Sequence, residues 1–155
     1  MFEIPEIVDV IATSNDEAKW SVKNAKDMGI KVKSTDIWDG PVPPDSFVWL
    51  GNGVRMATPE YMFLRKANQL PYETAVVVGC ALLSPYDTKY TSNSLGPNEV
   101  RLRDEPHTTV EDIVVYLLPI ILTDEGAKAY EILRDAVKYY PLFQKVCETL
   151  MADNQ

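Results

Sequence analysis

Histidine and cysteine are scarce in this sequence of 155 residues, which has one histidine, His107, and two cysteines, Cys80 and Cys147. A single histidine excludes two-histidine metal sites, and any histidine-based triad would depend on His107. His107 lies beside acids at the start of a predicted helix, and a histidine in such a place is more often a surface residue near a helix cap than a catalytic residue. Each cysteine lies in an apolar helical pattern without a second ligand at metal spacing, so we expect reduced, buried thiols in a cytoplasmic protein.

Basic clusters and long apolar runs are also missing. The chain has 15 basic and 23 acidic residues, a formal net charge of −8. Because duplex DNA is bound by neutralising phosphates, direct nucleic-acid binding is not expected unless charges segregate in the folded protein. An acidic surface suits a basic protein partner, or serves solubility alone. The longest apolar run, residues 113–122, is about half as long as a bilayer span, and residues 1–10 lack a signal-peptide pattern.

Recognisable catalytic and cofactor motifs are missing as well. The Gly-Asn-Gly stretch at 51–53 has no third glycine before a helix, so it is not a dinucleotide or phosphate loop. Paired acids at 16–17, 104–105, 111–112 and 124–125 lie at predicted helix starts, where the helix dipole favours negative charge. We therefore predict no catalytic residue, no metal site and no cofactor.

The N-terminal region of the chain has the pattern of a mixed α/β structure. The apolar run 7–12 and the segment 30–38 predict strands on either side of a helix that begins at a capping box of Ser14 and Glu17. Two short apolar runs around Gly-Asn-Gly in residues 47–57 predict a hairpin.

The pattern becomes helical after this hairpin. Thr58 followed by Pro59 suits a helix cap and first position, and residues 72–83, apolar on nearly every face, predict a central helix. Thr108 with Glu111 forms another capping box.

The chain is predicted to end in two helices. One covers residues 124–139, and Pro141 opens a separate terminal helix with Leu142, Val146 and Leu150 on one stripe. We predict a single domain of residues 1–155 in the α/β (α+β) class. Residues 1–57 are expected to hold a small mixed sheet made from the N-terminal β-α-β unit and the hairpin, and residues 58–155 to be mainly helical with a long loop at 84–108.

Tryptophan and tyrosine are the candidates for contacts with a partner, because they combine large area with few torsions. Some of them would instead belong to the core. Two arginines alternate in a stretch that suits a short strand and precede two acids, with which local ion pairs are the more ordinary role. The predicted partner-binding set is Trp20, Trp38, Trp49, Tyr86, Tyr90, Arg101, Arg103, Asp104 and Glu105.

Residues 40–83 combine a turn, a hairpin, a Thr-Pro-Glu helix start and a Leu-Pro break before a second helix. The residues that carry this pattern are Gly53, Val54, Thr58, Pro59, Glu60, Leu64, Leu70 and Pro71. A Thr-Thr helix start within 106–117 and an Ala-rich helix at 126–137 continue it. In these features the chain resembles the AbiEi-type antitoxin family. The resemblance implies a module that supports neutralisation of a nucleotidyltransferase toxin.

Relatives of this kind commonly continue from the Ala-rich helix into a very-short-patch-repair-like endonuclease domain that opens with Ser-Pro-x-Glu. Here Pro141 is kept, but Phe143 stands where the first metal-binding carboxylate belongs. The resemblance thus implies that nuclease activity is lost and that the terminal helix is a remnant of a missing domain. The family's N-terminal winged-helix DNA reader is not evident in residues 1–38, so promoter binding is not carried over.

We expect a non-enzymatic protein-binding module, antitoxin-like or an inhibitor of a nuclease or toxin, that acts through an acidic, aromatic-bearing surface. One alternative is a phage or mobile-element inhibitor of the anti-CRISPR type whose acidic face imitates nucleic acid. The others are a metal-dependent nuclease with an unrecognised site and a degenerate structural subunit that contributes dimer contacts. A homodimer is compatible with these interpretations, and no membrane partner is expected.

Overall fold

The structure is a computed structural model and describes residues 7–51, 54–89 and 99–153. Its contacts divide the chain into two compact units, residues 1–41 and 42–155. The prediction of a single domain stays a prediction. In chain order the elements are β1 (Ile7–Ala12), α1 (Asn15–Asp27), β2 (Lys31–Ile37), β3 (Phe47–Gly51), β4 (Val54–Ala57), α2 (Pro59–Gln69), α3 (Tyr72–Leu83), β5 (Tyr86–Lys89), β6 (Glu99–Leu102), α4 (Val110–Leu117), a 3₁₀ turn (Leu118–Ile120) and α5 (Asp124–Asp153).

The first unit is the predicted β-α-β structure, in which β1 and β2 pair in parallel on either side of α1. Ser14 caps α1 by accepting a hydrogen bond from the Glu17 backbone N–H at 3.1 Å. The Glu17 carboxylate accepts one from the Thr13 hydroxyl at 2.6 Å, which fixes the chain as it enters the helix. Gly29 follows the helix with a φ of 75°, a conformation that glycine adopts without steric cost. The Ser14 cap therefore sets the start of α1, and Glu17 bonds back to Thr13 rather than to the Ser14 backbone as in a full capping box.

A small apolar core holds the first unit together. Val10 and Ala12 on β1 are buried with Ala18 and Ala25 on the inner face of α1. Trp38, immediately after β2, is 6% exposed, and its indole N–H donates to the Pro41 carbonyl at 3.0 Å. The alanines allow the helix to lie close to a sheet of only two strands.

The second unit begins with the predicted antiparallel hairpin of β3 and β4, which leads into α2. Thr58 caps this helix by accepting from the Tyr61 backbone N–H at 3.2 Å, and Pro59 occupies its first turn. Tyr61, Phe63 and Leu64 are fully buried. The strand-to-helix sequence thus forms as the cap residues predict.

Helices α2, α3 and α5 pack together as the core of the second unit. A Cβ added to Gly79 on α3 would lie 2.9 Å from the Ala136 Cβ on α5 and 3.0 Å from a ring carbon of Phe63. Small residues at this crossing therefore let the α3 and α5 backbones approach closely. The Cys80 thiol, in the next position on α3, donates to the Ala136 carbonyl at 3.3 Å. Ile132 and Leu133 of α5 are also buried here.

Helix α4 begins one residue later than the capping box at Thr108 predicts. Thr109 is the cap and accepts from the Asp112 backbone N–H at 3.1 Å, whereas Thr108 is buried. At the other end of the helix, the buried Tyr116 hydroxyl lies 2.6 Å from the Ser46 hydroxyl. Because Ser46 donates its one proton to a nearby carbonyl, Tyr116 donates to Ser46 and links α4 to the segment before β3.

Helix α5 is continuous over 30 residues, so the prediction of a separate helix opening at Pro141 is wrong. Pro141 lies inside it and lacks the N–H that would bond the carbonyl of Val137. Ala136 and Cys147 are both fully buried on the same stripe, eleven residues or about three turns apart. The continuous buried stripe explains why the helix passes through the proline.

The segment 84–108 also differs from its prediction as a long loop. It contains strands β5 and β6, which pair antiparallel with Tyr86 opposite Leu102 and Lys89 opposite Glu99. The mixed α/β class with a helical C-terminal half is confirmed. In the described residues, however, the strands form three separate two-stranded sheets rather than one small mixed sheet.

Candidate functional site

Acidic and thiol side chains do not form a metal centre in the portion of the chain that the structure describes. No group of three or more histidine, cysteine, aspartate or glutamate side chains there could hold a metal ion. His107 lies with its Nε2 atom 3.5 Å from the carboxylate of Asp87, on the neighbouring strand β5, and both side chains are well exposed. An ion pair at such an exposed position contributes little to the stability of the fold.

The two thiols are buried and have low reactivity. Burial raises the pKa of Cys80 to about 11, with a smaller contribution from Cys147. Burial likewise raises the pKa of Cys147 above its ordinary value, and the nearby Glu148 carboxylate adds to the effect. Since the thiolate is the nucleophilic form, both cysteines are unreactive near neutral pH.

The structure separates the predicted partner-binding residues into several environments. The prediction that Trp38 contacts a partner is wrong, because its side chain is buried in the core of the first unit and packs against Gly40. Tyr90 lies outside the described residues. Arg101 is in β6 opposite Asp87, but its side chain also lies outside what the structure describes.

Tyr86 lies against helix α5. Burial is the main cause that raises the pKa of Tyr86. The negative charge of Glu148 and a hydrogen bond to its carboxylate raise this pKa further. The Tyr86 hydroxyl is thus next to the C-terminal half of α5.

Arg103 pairs across the β5–β6 hairpin rather than with the acids that follow it. Its Nη1 atom lies 3.7 Å from the Asp87 carboxylate. Asp104 and Glu105 are exposed and line a shallow depression with Arg103 and Leu102. The expected local ion pairs are thus replaced by a cross-strand pair, and the two acids face solvent.

Trp20 and Trp49 are the two predicted tryptophans that face solvent. Trp20 lies on the outer side of α1 in the first unit and is 59% exposed. Trp49 lies on β3 in the second unit and is 68% exposed. A side chain as large and apolar as tryptophan is rarely left open to water at this level, which makes both candidates for contacts.

Trp49 is accompanied by further exposed side chains on the same hairpin. It pairs across the strands with Arg55, while on the opposite face Val48 pairs with Met56. Val48 and Met56 are 42% and 44% exposed, and Arg55 is also exposed. These four residues, Val48, Trp49, Arg55 and Met56, lie on both faces of the hairpin, and we call them together the hairpin surface.

The hairpin surface is held on a stack of aromatic rings and guanidinium groups. The Arg55 guanidinium lies over the Phe47 ring, 3.7 Å from its centroid. Phe47 meets the Tyr61 ring edge to face, with centroids 5.1 Å apart. Arg65, one helical turn further along α2, donates to the Tyr61 hydroxyl at 3.2 Å and is buried. The stack fixes the hairpin on α2.

Sequence reasoning found Trp49 but missed its companions Val48, Arg55 and Met56. Consecutive apolar residues in Phe47–Gly51 place apolar side chains on both faces of a two-stranded hairpin, which cannot bury both. Which of these side chains stay exposed depends on the elements that cover each face, and the local sequence does not contain them. Alternation alone therefore does not reveal the exposed side chains.

Comparison of the chain with protein-family models, with curated proteins and with solved structures found no match. The resemblance to AbiEi-type antitoxins therefore stays a prediction. In the described residues, each helix is too short or too polar to cross a membrane.

Proposed function

We propose that this chain is a non-enzymatic protein-binding module, of the antitoxin or inhibitor kind, and that the hairpin surface contacts its partner. The observation that carries the proposal is the exposure of Trp49, 68%, on a hairpin whose other face also exposes Val48 and Met56. Exposed apolar side chains grouped on one element mark interaction sites.

The composition of the hairpin surface supports this function. Tryptophan and arginine are the residues most enriched among energetically dominant interface positions, and methionine adapts to irregular partners. Arg55 is already held by the Phe47 ring, so it loses little side-chain freedom when a partner binds. Both strands of the hairpin pair only with each other in the described residues, which leaves backbone groups at its edges for contacts.

The partner class follows from the sequence resemblance and from charge. An antitoxin-like module would bind a nucleotidyltransferase toxin, and an inhibitor would bind a nuclease. Both kinds of enzyme carry basic grooves for nucleic acid, which a chain of net charge −8 complements.

The test is complex formation between the purified chain and a panel of nucleotidyltransferase toxins and nucleases, measured by light scattering and titration calorimetry. We expect one complex, and Trp49→Ala should weaken it by at least about tenfold, the loss typical of a central aromatic contact. Trp20→Ala is the matched control, because it removes a tryptophan of similar exposure from the first unit.

Three outcomes would overturn the proposal. The panel could yield no complex, Trp49→Ala could bind as tightly as the unaltered chain, or Trp20→Ala could weaken binding equally. Circular dichroism and urea unfolding of both variants show that each remains folded, which keeps the comparison valid.

A further inference from the structure

An open groove of about 520 Å³ lies in the first unit between α1 and β2. One wall is formed by Lys19, Lys23 and Lys26 of α1, and the other by Thr35 and Ile37 of β2, with Val22 among the lining residues. Ala18, from the inner face of α1, also lines the groove, whereas no residue of β1 does.

The groove is basic although the first unit is acidic. The lysines are spaced four and three residues apart, which places them on one side of the helix. No aspartate or glutamate lines the groove, and in the described residues none of the three lysines has an ion-pair partner. Positive charge is therefore segregated here, within a unit whose sequence has eight acids and five lysines.

Strand β2, which forms one wall of the groove, is an edge strand in the described residues. Strand β2 pairs with β1 along one side, and the described residues contain no strand that pairs with its other side. Most of its side chains are exposed, including Ile37 at 43%. An open edge offers backbone N–H and C=O groups to an added strand, and a neighbouring helix contacts the alternate side chains of that strand.

We infer that this groove binds an extended acidic segment of a protein partner as an added strand next to β2. Every second side chain of the added strand faces α1. Most of these side chains are carboxylates that face the three lysines, and one is apolar and contacts Val22 and Ile37. The inference uses a different surface from the hairpin and does not rest on the proposed function.

A peptide fits the groove better than nucleic acid does. Val22, Ile37 and the Thr35 methyl group make some of the lining apolar, which an amino-acid side chain can cover and a phosphate backbone cannot. Single-stranded nucleic acid is bound by aromatic stacking, and no aromatic residue lines the groove. Trp20 lies on another side of the helix.

The experiment uses the full chain and a fluorescein-labelled peptide of about eight residues, in which every second position carries glutamate or, once, valine, and the positions between carry threonine. We expect binding by fluorescence anisotropy that weakens as salt is raised. The double variant Lys19→Glu with Lys23→Glu should bind roughly tenfold more weakly, because two attractive contacts become repulsive. The matched control is Lys128→Glu together with Lys138→Glu, which makes the same charge change on exposed residues of the second unit.

Two further probes separate strand addition from simple charge attraction. The same peptide with N-methyl groups on alternate backbone nitrogens should bind at least about tenfold more weakly, since it can no longer donate to β2. A labelled oligothymidine should bind less tightly than the peptide. The inference is overturned if the acidic peptide does not bind, if N-methylation or the Lys19 and Lys23 changes have no effect, or if oligothymidine binds better.

Discussion

The two halves of helix α5 on either side of Pro141 have the same helical geometry but different surroundings. In the half before it, Ala129, Ile132, Leu133 and Ala136 are buried against other helices. In the half after it, Cys147 alone among the described residues is fully buried, while Leu142 and Val146 are 63% and 42% exposed. The first half is therefore a core element, and the second is held along a single buried line.

This difference shows that an amphipathic pattern does not by itself identify what is buried. The stripe of Leu142, Val146 and Leu150 looks like a core-facing stripe in the sequence, yet its first two members face solvent. The stripe through Ala136 and Cys147 contains small residues and is the one that packs. Burial follows the neighbouring elements, which the local sequence does not contain.

The largest effect expected from this comparison is in the core half of α5. Ile132→Ala removes a fully buried side chain and should lower the free energy of unfolding by about 2–5 kcal/mol. Leu142→Ala, on the exposed side of the same helix, should change it by less than about 0.5 kcal/mol. Urea unfolding monitored by circular dichroism measures both. Equal losses would show that the two halves are packed alike.

The buried thiol of Cys80, which packs against the first half of α5, makes the free energy of unfolding depend on pH. An unfolded thiol ionises near pH 9, whereas Cys80 against Ala136 ionises near pH 11. Between these values the unfolded state binds fewer protons, so the free energy of unfolding should fall as pH rises, by up to about 2–3 kcal/mol at pH 11.

Cys80→Ser removes this titration and keeps a hydroxyl that can donate to the same carbonyl. Unfolding in urea at pH 8, 9, 10 and 11 should therefore show a smaller decline for Cys80→Ser than for the unaltered chain. An identical decline for both would contradict the assignment to Cys80.

The smallest effect expected concerns the boundary between the two halves. Pro141→Ala restores an N–H inside a continuous helix and removes the clash of the proline ring, so it should raise the free energy of unfolding by about 1–3 kcal/mol. Thermal and urea unfolding measure the gain. A loss of stability would instead indicate that the helix is interrupted at Pro141, as the sequence pattern predicts.

The sequence predicts those helix starts that depend on residues close together along the chain. Ser14 and Thr58 cap their helices through bonds to residues three positions on, and both helix starts are evident in the sequence. At Thr108 and Thr109 two adjacent threonines compete, and burial of the first decides the register. Pro141 is misleading because its local cost is overcome by a buried stripe that continues on both sides.

The candidate site is only partly predictable for the same reason. Trp49 can be selected by residue type, but Trp38, of the same type, is buried in the core of the first unit, which its position in the sequence does not reveal. The cross-strand pair of Arg103 and Asp87 depends on a hairpin within a segment rich in turn-forming residues. Which lysines share a groove depends on where β2 lies beside α1.

The stack of Arg55, Phe47, Tyr61 and Arg65 has a consequence for how the hairpin binds. Tilting the hairpin away from α2 would separate the Phe47 and Tyr61 rings and expose apolar area, so its backbone is expected to follow the helix in its fast motions. A partner would then meet a shape that is already formed. Association would lose little conformational entropy, and its strength would depend on the fit to Trp49 rather than on the ordering of a loose ribbon.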